Sequence, residues 1–206
     1  MTATAAKDPK TMPGTSERLY DRLTFLYPAI DLFLRPQKRT FINTINSYPH
    51  GRLLEIGVGN GSHLKYYKTH DITGIDTSSS MLAKAVKHGI DRVQLIRMDG
   101  QKLSFYDELF DYVVLSHVIA VVADPERLLE EIHRVLKPGG KVFILNHFTP
   151  GNWLKYLDRF AEGISRLFCF RSVFKISSLS KISKFRPRQE IGVGRFSYFK
   201  ILIYEK

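Results

Sequence analysis

A chain of 206 residues with 44% apolar content is long enough to form one domain with a full hydrophobic core. Its single cysteine, Cys169, excludes an internal disulfide and favours a reducing compartment, and no metal site is indicated. The first 14 residues lack the apolar core of a secretory signal, and no apolar run approaches the roughly 20 residues that a membrane-spanning helix needs. The composition therefore predicts a cytoplasmic protein that does not cross a membrane.

The net charge of +11 is distributed unevenly along the chain. It amounts to +3 in residues 1–50, zero in residues 51–150 and +8 in residues 151–206. Basic segments on either side of a neutral core favour an anionic partner, either nucleic acid or a membrane surface that carries acidic lipids. A basic protein without an anionic partner is the other interpretation that charge alone leaves open.

The N-terminal region divides into a tail and a helical segment. Residues 1–14 contain two prolines and few large apolar groups, which predicts a disordered tail. In residues 15–50 we expect a helical lid, beginning with a helix over 17–27 that Ser16 caps and that Pro28 ends or kinks.

An apolar patch with basic neighbours follows within the lid. Its apolar residues are Ile30 and Leu32 to Leu34, and its basic residues are Arg35, Lys38 and Arg39. This combination is typical of a helix that lies in a membrane interface. The alternative is a helix whose apolar side contacts the domain itself.

A glycine-rich turn begins the central part of the chain. The short apolar run Leu53 to Ile56 contains Glu55 and is followed by Gly57, Gly59 and Gly61. Residues without a Cβ permit positive φ and let the backbone approach a ligand closely. We expect residues 62–68 to form a helix whose first N–H groups point at the same place.

Acidic residues end the next two predicted strands. Asp76 follows a strand over 72–75 and lies 21 positions after Glu55, where a βαβ unit presents a carboxylate to a ribose diol. The helix that starts after Thr77 has a hydroxyl cap and a methionine, Met81, that can lie on a flat base. A third strand over 93–98 ends at Asp99 and Gly100, where a carboxylate can accept a hydrogen bond from an exocyclic amine.

The remaining elements predict a parallel, doubly wound sheet. A fourth strand over 112–116 precedes a helix that Asp124 caps and that runs to Leu136, and a fifth strand covers 141–145. After His147 the alternation stops and a basic amphipathic segment spans 151–190. The run 196–204 alternates as a strand, with an antiparallel partner expected near 182–186 or 190–193.

These landmarks together resemble the class I S-adenosylmethionine-dependent methyltransferases over about residues 50–147. The resemblance rests on the glycine turn with Glu55, on Asp76 with Ser78, Met81 and Leu82, on Met98 and Asp99, and on the runs 110–114 and 136–141. It implies an α/β, Rossmann-like, mostly parallel seven-stranded sheet with an N-terminal helical lid and an antiparallel C-terminal strand pair. It also implies S-adenosylmethionine as cofactor, bound by Glu55, Gly57, Gly59, Gly61, Asp76, Thr77, Met81, Asp99, Gly100, Ser116 and His117.

A narrower resemblance involves the residues that follow strands four and five. The stretches 117–125, 146–148 and 194–200 are similar to bacterial phospholipid N-methyltransferases of the Rhodobacter type, which methylate phosphatidylethanolamine. The resemblance implies a methyltransferase domain over 51–206, a phospholipid substrate and an anionic membrane surface as partner. It places the enzyme in the cytoplasm, peripherally associated with the inner face of the membrane.

Methyl transfer to an amine requires alignment, exclusion of water and a nucleophile without its extra proton. His117 follows strand four at the edge where ligands bind and is the first candidate to take that proton, with His147 second. Either histidine can instead serve only as a hydrogen-bonding group. Tyr20 and Tyr27 are candidates for contacts from the lid to cofactor or substrate. For the lipid phosphate the candidates are Arg171, Arg186, Arg188 and Arg195.

Three other functions remain as alternatives. The acceptor can be a small molecule such as a quinone precursor. RNA methylation or nucleic-acid binding is not expected, because the basic segments lack a recognisable nucleic-acid module. A dinucleotide oxidoreductase is disfavoured by the GxGxG spacing of the glycines.

Overall fold

The computed structural model describes residues 27–90, 92–147, 176–193 and 199–206. The chain divides into two compact units, Met1–Leu34 and Arg35–Lys206, and all seven strands belong to the second. The helices are α1 (Tyr27–Asn46), α2 (Ser79–Val86) and α3 (Pro125–Val135). The strands are β1 (Arg52–Ile56), β2 (Asp71–Asp76), β3 (Val93–Arg97), β4 (Phe110–Ser116), β5 (Leu136–His147), β6 (Arg186–Val193) and β7 (Phe199–Glu205).

The strands form one mixed sheet in the order β3-β2-β1-β4-β5-β7-β6. Strands β1 to β5 pair in parallel, and β7 runs antiparallel to both β5 and β6. This arrangement confirms the predicted doubly wound sheet with an antiparallel C-terminal pair. The strand order reverses between β1 and β4, and in open α/β sheets ligands bind outside the carboxyl ends of the strands at such a point.

Other elements pack on both faces of the sheet, to which successive side chains of each strand point in turn. On one face, Leu115 of β4 and Ile132 of α3 belong to a single cluster of buried apolar residues. On the other, Tyr48 lies just beyond α1 and its ring meets Phe143 edge-on at 5.0 Å and Tyr112 at 6.1 Å. The end of α1 therefore lies against β4 and β5.

Side-chain caps fix the starts of α2 and α3, as the sequence predicts. The Ser78 hydroxyl accepts the Met81 N–H at 3.3 Å at the start of α2. The Asp124 carboxylate accepts the Arg127 N–H at 2.9 Å, with Pro125 in the first turn of α3. Both caps hold the loop that precedes the helix at the carboxyl edge of the sheet.

The prediction of a helix over residues 62–68 is wrong, since the structure has only a 3₁₀ turn at Leu64–Tyr66. The backbone here bonds to a distant side chain instead of to a helical ladder. The Asn46 amide donates to the Tyr66 carbonyl at 2.9 Å and accepts the Lys68 N–H at 3.0 Å. The end of α1 thus fixes the connection between β1 and β2.

Several element boundaries also differ from the expectations. Strand β5 runs over Leu136–His147 instead of 141–145. The antiparallel partner β6 includes the position proposed near 190–193, whereas the alternative over 182–186 is wrong, since a 3₁₀ helix runs over Ser180–Lys184. Pro28 lies in the first turn of α1. A backbone N–H has no partner within the helix at this place, so proline, which lacks the N–H, fits there. The expectations for the tail 1–14, for residues 17–26 and for most of the segment 151–190 fall outside the described residues.

The segment Ile176–Phe185 is attached to α3 through Glu126. Its carboxylate accepts the N–H groups of Ser180 at 2.6 Å and Lys181 at 2.8 Å. These bonds, that of Lys181 first, lower the pKa of Glu126. The Lys181 ammonium also pairs with Glu130 at 2.6 Å, so α3 positions the residues that lead into β6.

An acid-sensitive ion-pair cluster joins the last three strands. Glu205 of β7 pairs with Arg188 of β6 and, at 3.0 Å, with Lys141 of β5, and these cations lower the pKa of Glu205 to about 2. A carboxyl whose pKa is depressed on folding stabilises the protein at neutral pH, and this contribution is lost as the pH falls from about 4.5 to about 2.

We therefore expect Glu205→Gln to lower the stability at pH 7 and to flatten its decline below pH 4.5. Urea unfolding followed by circular dichroism at a series of pH values measures both effects. Glu190→Gln, on the same strand pair, is the matched control and should keep most of the decline of the parent, because the Glu190 carboxylate is more exposed than that of Glu205 and pairs with one cation instead of two. Identical pH dependence in all three proteins would contradict the role assigned to Glu205.

Within the described ranges, no helix is both long enough and apolar enough to cross a bilayer.

Candidate active site

The parallel strands bring four predicted site residues to one edge of the sheet. Gly57 follows β1, Asp76 ends β2, Asp99 follows β3 and His117 follows β4. Because β3, β2, β1 and β4 are consecutive neighbours, these residues lie along the carboxyl edge on both sides of the strand-order reversal.

Close approach of neighbouring elements requires glycine at two positions of the loop. Gly57 has a φ of +76°, and a Cβ there would lie 2.5 Å from Cγ2 of Val118 in the loop after β4. Gly61 has a φ of +68°, and a Cβ would lie 2.7 Å from Cβ of Ala85 in α2. The loop is therefore confined between β4 and α2, with its backbone at the surface that a ligand would meet.

The Asp76 carboxylate is fixed by backbone donors. Oδ2 accepts the Gly59 N–H at 2.8 Å and Oδ1 accepts the Ser78 N–H at 2.9 Å. Burial raises the pKa of Asp76, and the N–H groups of Ser78, Gly59 and Thr77 partly offset this effect. An ionised carboxylate has about four lone-pair sites, so both oxygens retain acceptor capacity for the two hydroxyls of a ribose.

Asp99 is exposed beyond β3 and takes several hydrogen bonds from Gln101. The neighbouring Gly100 faces the core instead, since a Cβ there would lie 2.7 Å from Cγ2 of Ile56 and 3.0 Å from Cδ1 of Leu128. Its lack of a side chain serves packing. Contact between Gly100 and the cofactor stays a prediction.

Thr77 and Met81 flank Asp76 with different exposures. Thr77 is exposed and its carbonyl accepts from Nε of Arg97 at 3.0 Å. Met81 is only 6% exposed, so most of its side chain contributes to the core beside α2. Their contacts with a base or ribose stay predictions.

Glu55 lies beneath the glycine loop and has partners that sequence reasoning missed. It is 1% exposed, and its Oε1 lies 2.6 Å from Nε2 of the buried His63. Burial first, and then the nearby Glu55 carboxylate, raise the pKa of Tyr67 well above its usual value. The Glu55 carboxylate therefore holds the loop from below, and its direct contact with a cofactor stays a prediction.

His117 has an unusual backbone conformation at the end of β4. Its φ is +60°, its N–H donates to the Leu145 carbonyl at 2.8 Å, and its ring meets that of Phe199 edge-on at 5.7 Å. Non-glycine residues with positive φ are uncommon and cluster at functional sites. The preceding Ser116 buries its Oγ, which has no hydrogen-bond partner among the described residues, and its contact with the cofactor stays a prediction.

Some predicted residues cannot be placed at side-chain level. Tyr20 lies outside the described residues, as do Arg171 and Arg195. Tyr27 is the first residue of α1 and His147 the last of β5, and for both the structure describes only the backbone. Among the phosphate candidates, Arg186 and Arg188 lie at the start of β6, beside the end of antiparallel β7 and so at the edge of the sheet opposite Asp76 and His117. A role for these two arginines at the site is therefore wrong.

A cavity of about 580 Å³ lies at the opposite edge of the sheet. Its lining includes the first residues of four strands, Arg52, Asp71, Val93 and Phe110. In the described part of the chain, none of the predicted site residues borders it. The chemistry of the carboxyl edge, with its fixed carboxylates and glycine loop, identifies that edge as the candidate active site.

The carboxyl edge fits a nucleoside. Asp76 can accept from the ribose, Asp99 from an exocyclic amine, and the loop has no side chain at the positions that face its neighbours. Fold and site together define a Rossmann-like nucleoside-binding domain.

Comparisons with known proteins narrow this class. Residues 54–144 match a family model described as a methyltransferase domain. Over 105 residues the chain is 45% identical to the phosphatidylethanolamine N-methyltransferase of Cereibacter sphaeroides, an alignment that covers 48% of this chain and 52% of that protein. Over 126 residues it is 32% identical to the ubiquinone/menaquinone biosynthesis C-methyltransferase UbiE of Geotalea daltonii, covering 56% and 54% respectively. The chain thus spans about half the length of the curated relatives it matches.

Solved structures share the fold over nearly the whole chain. A methyltransferase of Thermotoga maritima, described as a possible histamine N-methyltransferase, superposes with a TM-score of 0.73 and covers 92% of this chain and 99% of that one. At 23% identity this likeness concerns the fold alone.

Residues 54–144 therefore form a methyltransferase domain, and the sheet around them has the fold of the class I S-adenosylmethionine-dependent methyltransferases. S-adenosylmethionine is the cofactor that this family and fold imply, and the residues at the carboxyl edge fit it.

Proposed function

We propose that this protein methylates the amine of phosphatidylethanolamine, and of its partly methylated forms, at a membrane surface. The observation that carries the proposal is the 45% identity over 105 residues to the Cereibacter enzyme. The candidate active site supports it, since it offers a nucleoside-binding edge beside a histidine with a constrained backbone.

The first task of the site is to hold the cofactor. In the proposal, Asp76 binds the ribose hydroxyls, Asp99 the adenine amine, and the loop of Gly57, Gly59 and Gly61 lies against the methionyl part. When bound, S-adenosylmethionine supplies a methyl group on a sulfonium, which needs no covalent help from the protein to leave. The contribution of the chain is therefore alignment and exclusion of water.

The second task is to prepare the acceptor. A primary amine is mostly protonated at neutral pH and has no free lone pair in that form, so a proton must leave before attack. In the proposal, His117 accepts this proton directly or through water. The backbone bond to Leu145 and the ring contact with Phe199 hold the imidazole at the end of β4, next to the cofactor edge.

The third task is to reach the lipid. Ion pairs with carboxylates already occupy Lys181, Arg188 and Lys200. Lys184 and Arg186 form no ion pair with any described residue, but they lie at the edge opposite the candidate active site, because Arg186 pairs with Glu205 at the end of β7. We propose instead that the basic segments outside the described ranges contact anionic lipids at the inner membrane face, where each cation adds on the order of 1 kcal/mol.

A quinone precursor is the second candidate acceptor. The 32% identity over 126 residues to UbiE favours it, and in that case methyl transfer would go to a ring carbon. One acceptor is methylated at a headgroup amine and the other at a ring carbon, so the identity of the labelled product distinguishes them.

The test supplies the purified protein with methyl-labelled S-adenosylmethionine and vesicles of phosphatidylethanolamine, with or without phosphatidylglycerol. We expect label in N-methylated lipid, and more of it on vesicles that contain the anionic lipid. Binding of the cofactor without any labelled lipid would contradict the proposal, and label in an added demethylmenaquinone would favour the second candidate.

The same assay tests His117 with His117→Asn. Asparagine tolerates a positive φ, so the variant removes the imidazole and preserves the backbone. Loss of a general base typically lowers the rate about 10²- to 10⁴-fold. His133→Asn, on α3, is the control and should retain full activity. An unchanged rate in His117→Asn would exclude the histidine as the proton acceptor.

A further inference from the structure

Gln101 fixes both oxygens of the Asp99 carboxylate. Its side-chain Nε2 lies 3.1 Å from Oδ1 and 3.2 Å from Oδ2 of Asp99, and its backbone N–H donates to Oδ1 at 2.9 Å. Since the two carboxylate oxygens face one amide, rotation of the Asp99 side chain would break these bonds. Asp99 is nevertheless exposed, so its remaining lone pairs face outward.

The same glutamine reaches the loop after β4. Its Oε1 accepts the Asp124 N–H at 2.7 Å, and Asp124 in turn caps α3 through the Arg127 N–H. One side chain thus connects the loop after β3 with the loop after β4. The amide nitrogen of Gln101 thus donates to Asp99, and its amide oxygen accepts from Asp124.

We propose that Gln101 is a positioning residue that orients Asp99 toward the 6-amino group of the cofactor's purine and so sets the preference for adenine over hypoxanthine. The inference rests on the proposed cofactor site. A carboxylate held in place accepts from a 6-amino group and repels a 6-oxo group. A carboxylate free to rotate avoids that repulsion and discriminates less.

The variant Gln101→Glu separates the two contacts of the side chain. A glutamate can still accept the Asp124 N–H, but it has no donor for Asp99 and repels it. Gln101→Met removes both contacts at similar size without adding a charge. Gln189→Glu is the matched control, because it makes the same chemical change at an exposed position on β6, at the other end of the sheet.

The experiment compares the affinities of each protein for S-adenosylhomocysteine and S-inosylhomocysteine by calorimetry. A hydrogen bond to a charged group contributes about 1.5 kcal/mol or more, which is roughly tenfold in affinity. We therefore expect the preference for the adenine ligand to fall on the order of tenfold in Gln101→Glu and Gln101→Met and to stay unchanged in Gln189→Glu.

The outcomes distinguish this inference from the proposal on which it rests. If the Gln101 variants lose affinity for both ligands equally, so that the preference is intact, the positioning role is overturned and the cofactor site remains. Unchanged affinities for both ligands, and hence an unchanged ratio between them, would also overturn it. If the parent protein binds neither ligand, the cofactor site and the inference fail together.

Discussion

Replacing Asp76 with alanine is expected to weaken the binding of S-adenosylhomocysteine by about 100-fold. The ribose loses two charge-assisted hydrogen bonds, each contributing about 1.5 kcal/mol or more. The Gly59 N–H also loses its acceptor, so the loop after β1 is less constrained. Calorimetric titration of the purified variant measures the change.

Asp71→Ala is the control for Asp76→Ala. Asp71 begins the same strand, at the opposite edge of the sheet, and its carboxylate is exposed. We expect this variant to bind the ligand as the parent does. Unchanged affinity in Asp76→Ala, or an equal loss in both variants, would contradict the assignment of the ribose to Asp76.

Gly57→Ala is expected to abolish measurable cofactor binding and to destabilise the domain. A left-handed conformation costs an alanine about 1–2 kcal/mol, and the added Cβ would lie 2.5 Å from Cγ2 of Val118. Overpacking of this kind typically adds about 1–3 kcal/mol. The loop must shift away from β4, which moves its backbone from the position that the ligand requires. Thermal unfolding and ligand titration check the two effects.

Two further variants separate the conformational from the steric cause. Gly89→Ala places alanine at a φ of +57° with no atom within 4 Å, so only the conformational penalty applies. The double variant Gly57→Ala/Val118→Ala removes the atoms that the new Cβ would meet. We expect Gly89→Ala to bind the ligand normally and the double variant to recover part of the binding. No recovery in the double variant would show that contact with Val118 is not the cause.

The cofactor half of the site could be predicted from sequence because its signals are local. Each acid follows a short apolar run, so the sequence alone predicts that Asp76 and Asp99 lie at the ends of strands, without knowledge of the pairing. Parallel pairing then brings those ends to one edge. The caps of α2 and α3 were also predictable, since Ser78 and Asp124 bond to N–H groups three residues away.

The contacts between distant parts of the chain could not be predicted in the same way. The Asn46 side chain forms hydrogen bonds with the backbone of Tyr66 and Lys68, about 20 positions away. These backbone groups therefore do not form the hydrogen bonds of a helix, and the helix expected over 62–68 is a short turn. Gln101 bonds to Asp124, 23 positions away. A glutamine two residues after an acid is a weak local signal, and only the fold shows that its amide connects two loops.

The sequence predicts the cofactor more directly than the acceptor, for a physical reason. The names of both curated relatives describe methyltransferases, whereas the acceptors that these names print differ. Requirements for the cofactor are the same in either case. The labelled-methyl assay therefore decides between the two acceptors.

The central claim, that the carboxyl edge of the sheet binds S-adenosylmethionine, is tested most directly by amide hydrogen exchange with and without S-adenosylhomocysteine. We predict slower exchange in the presence of the ligand over residues 57–62, 76–82 and 99–101. Protection confined to the opposite edge, around Arg52, Thr73 and Tyr106, would contradict the account.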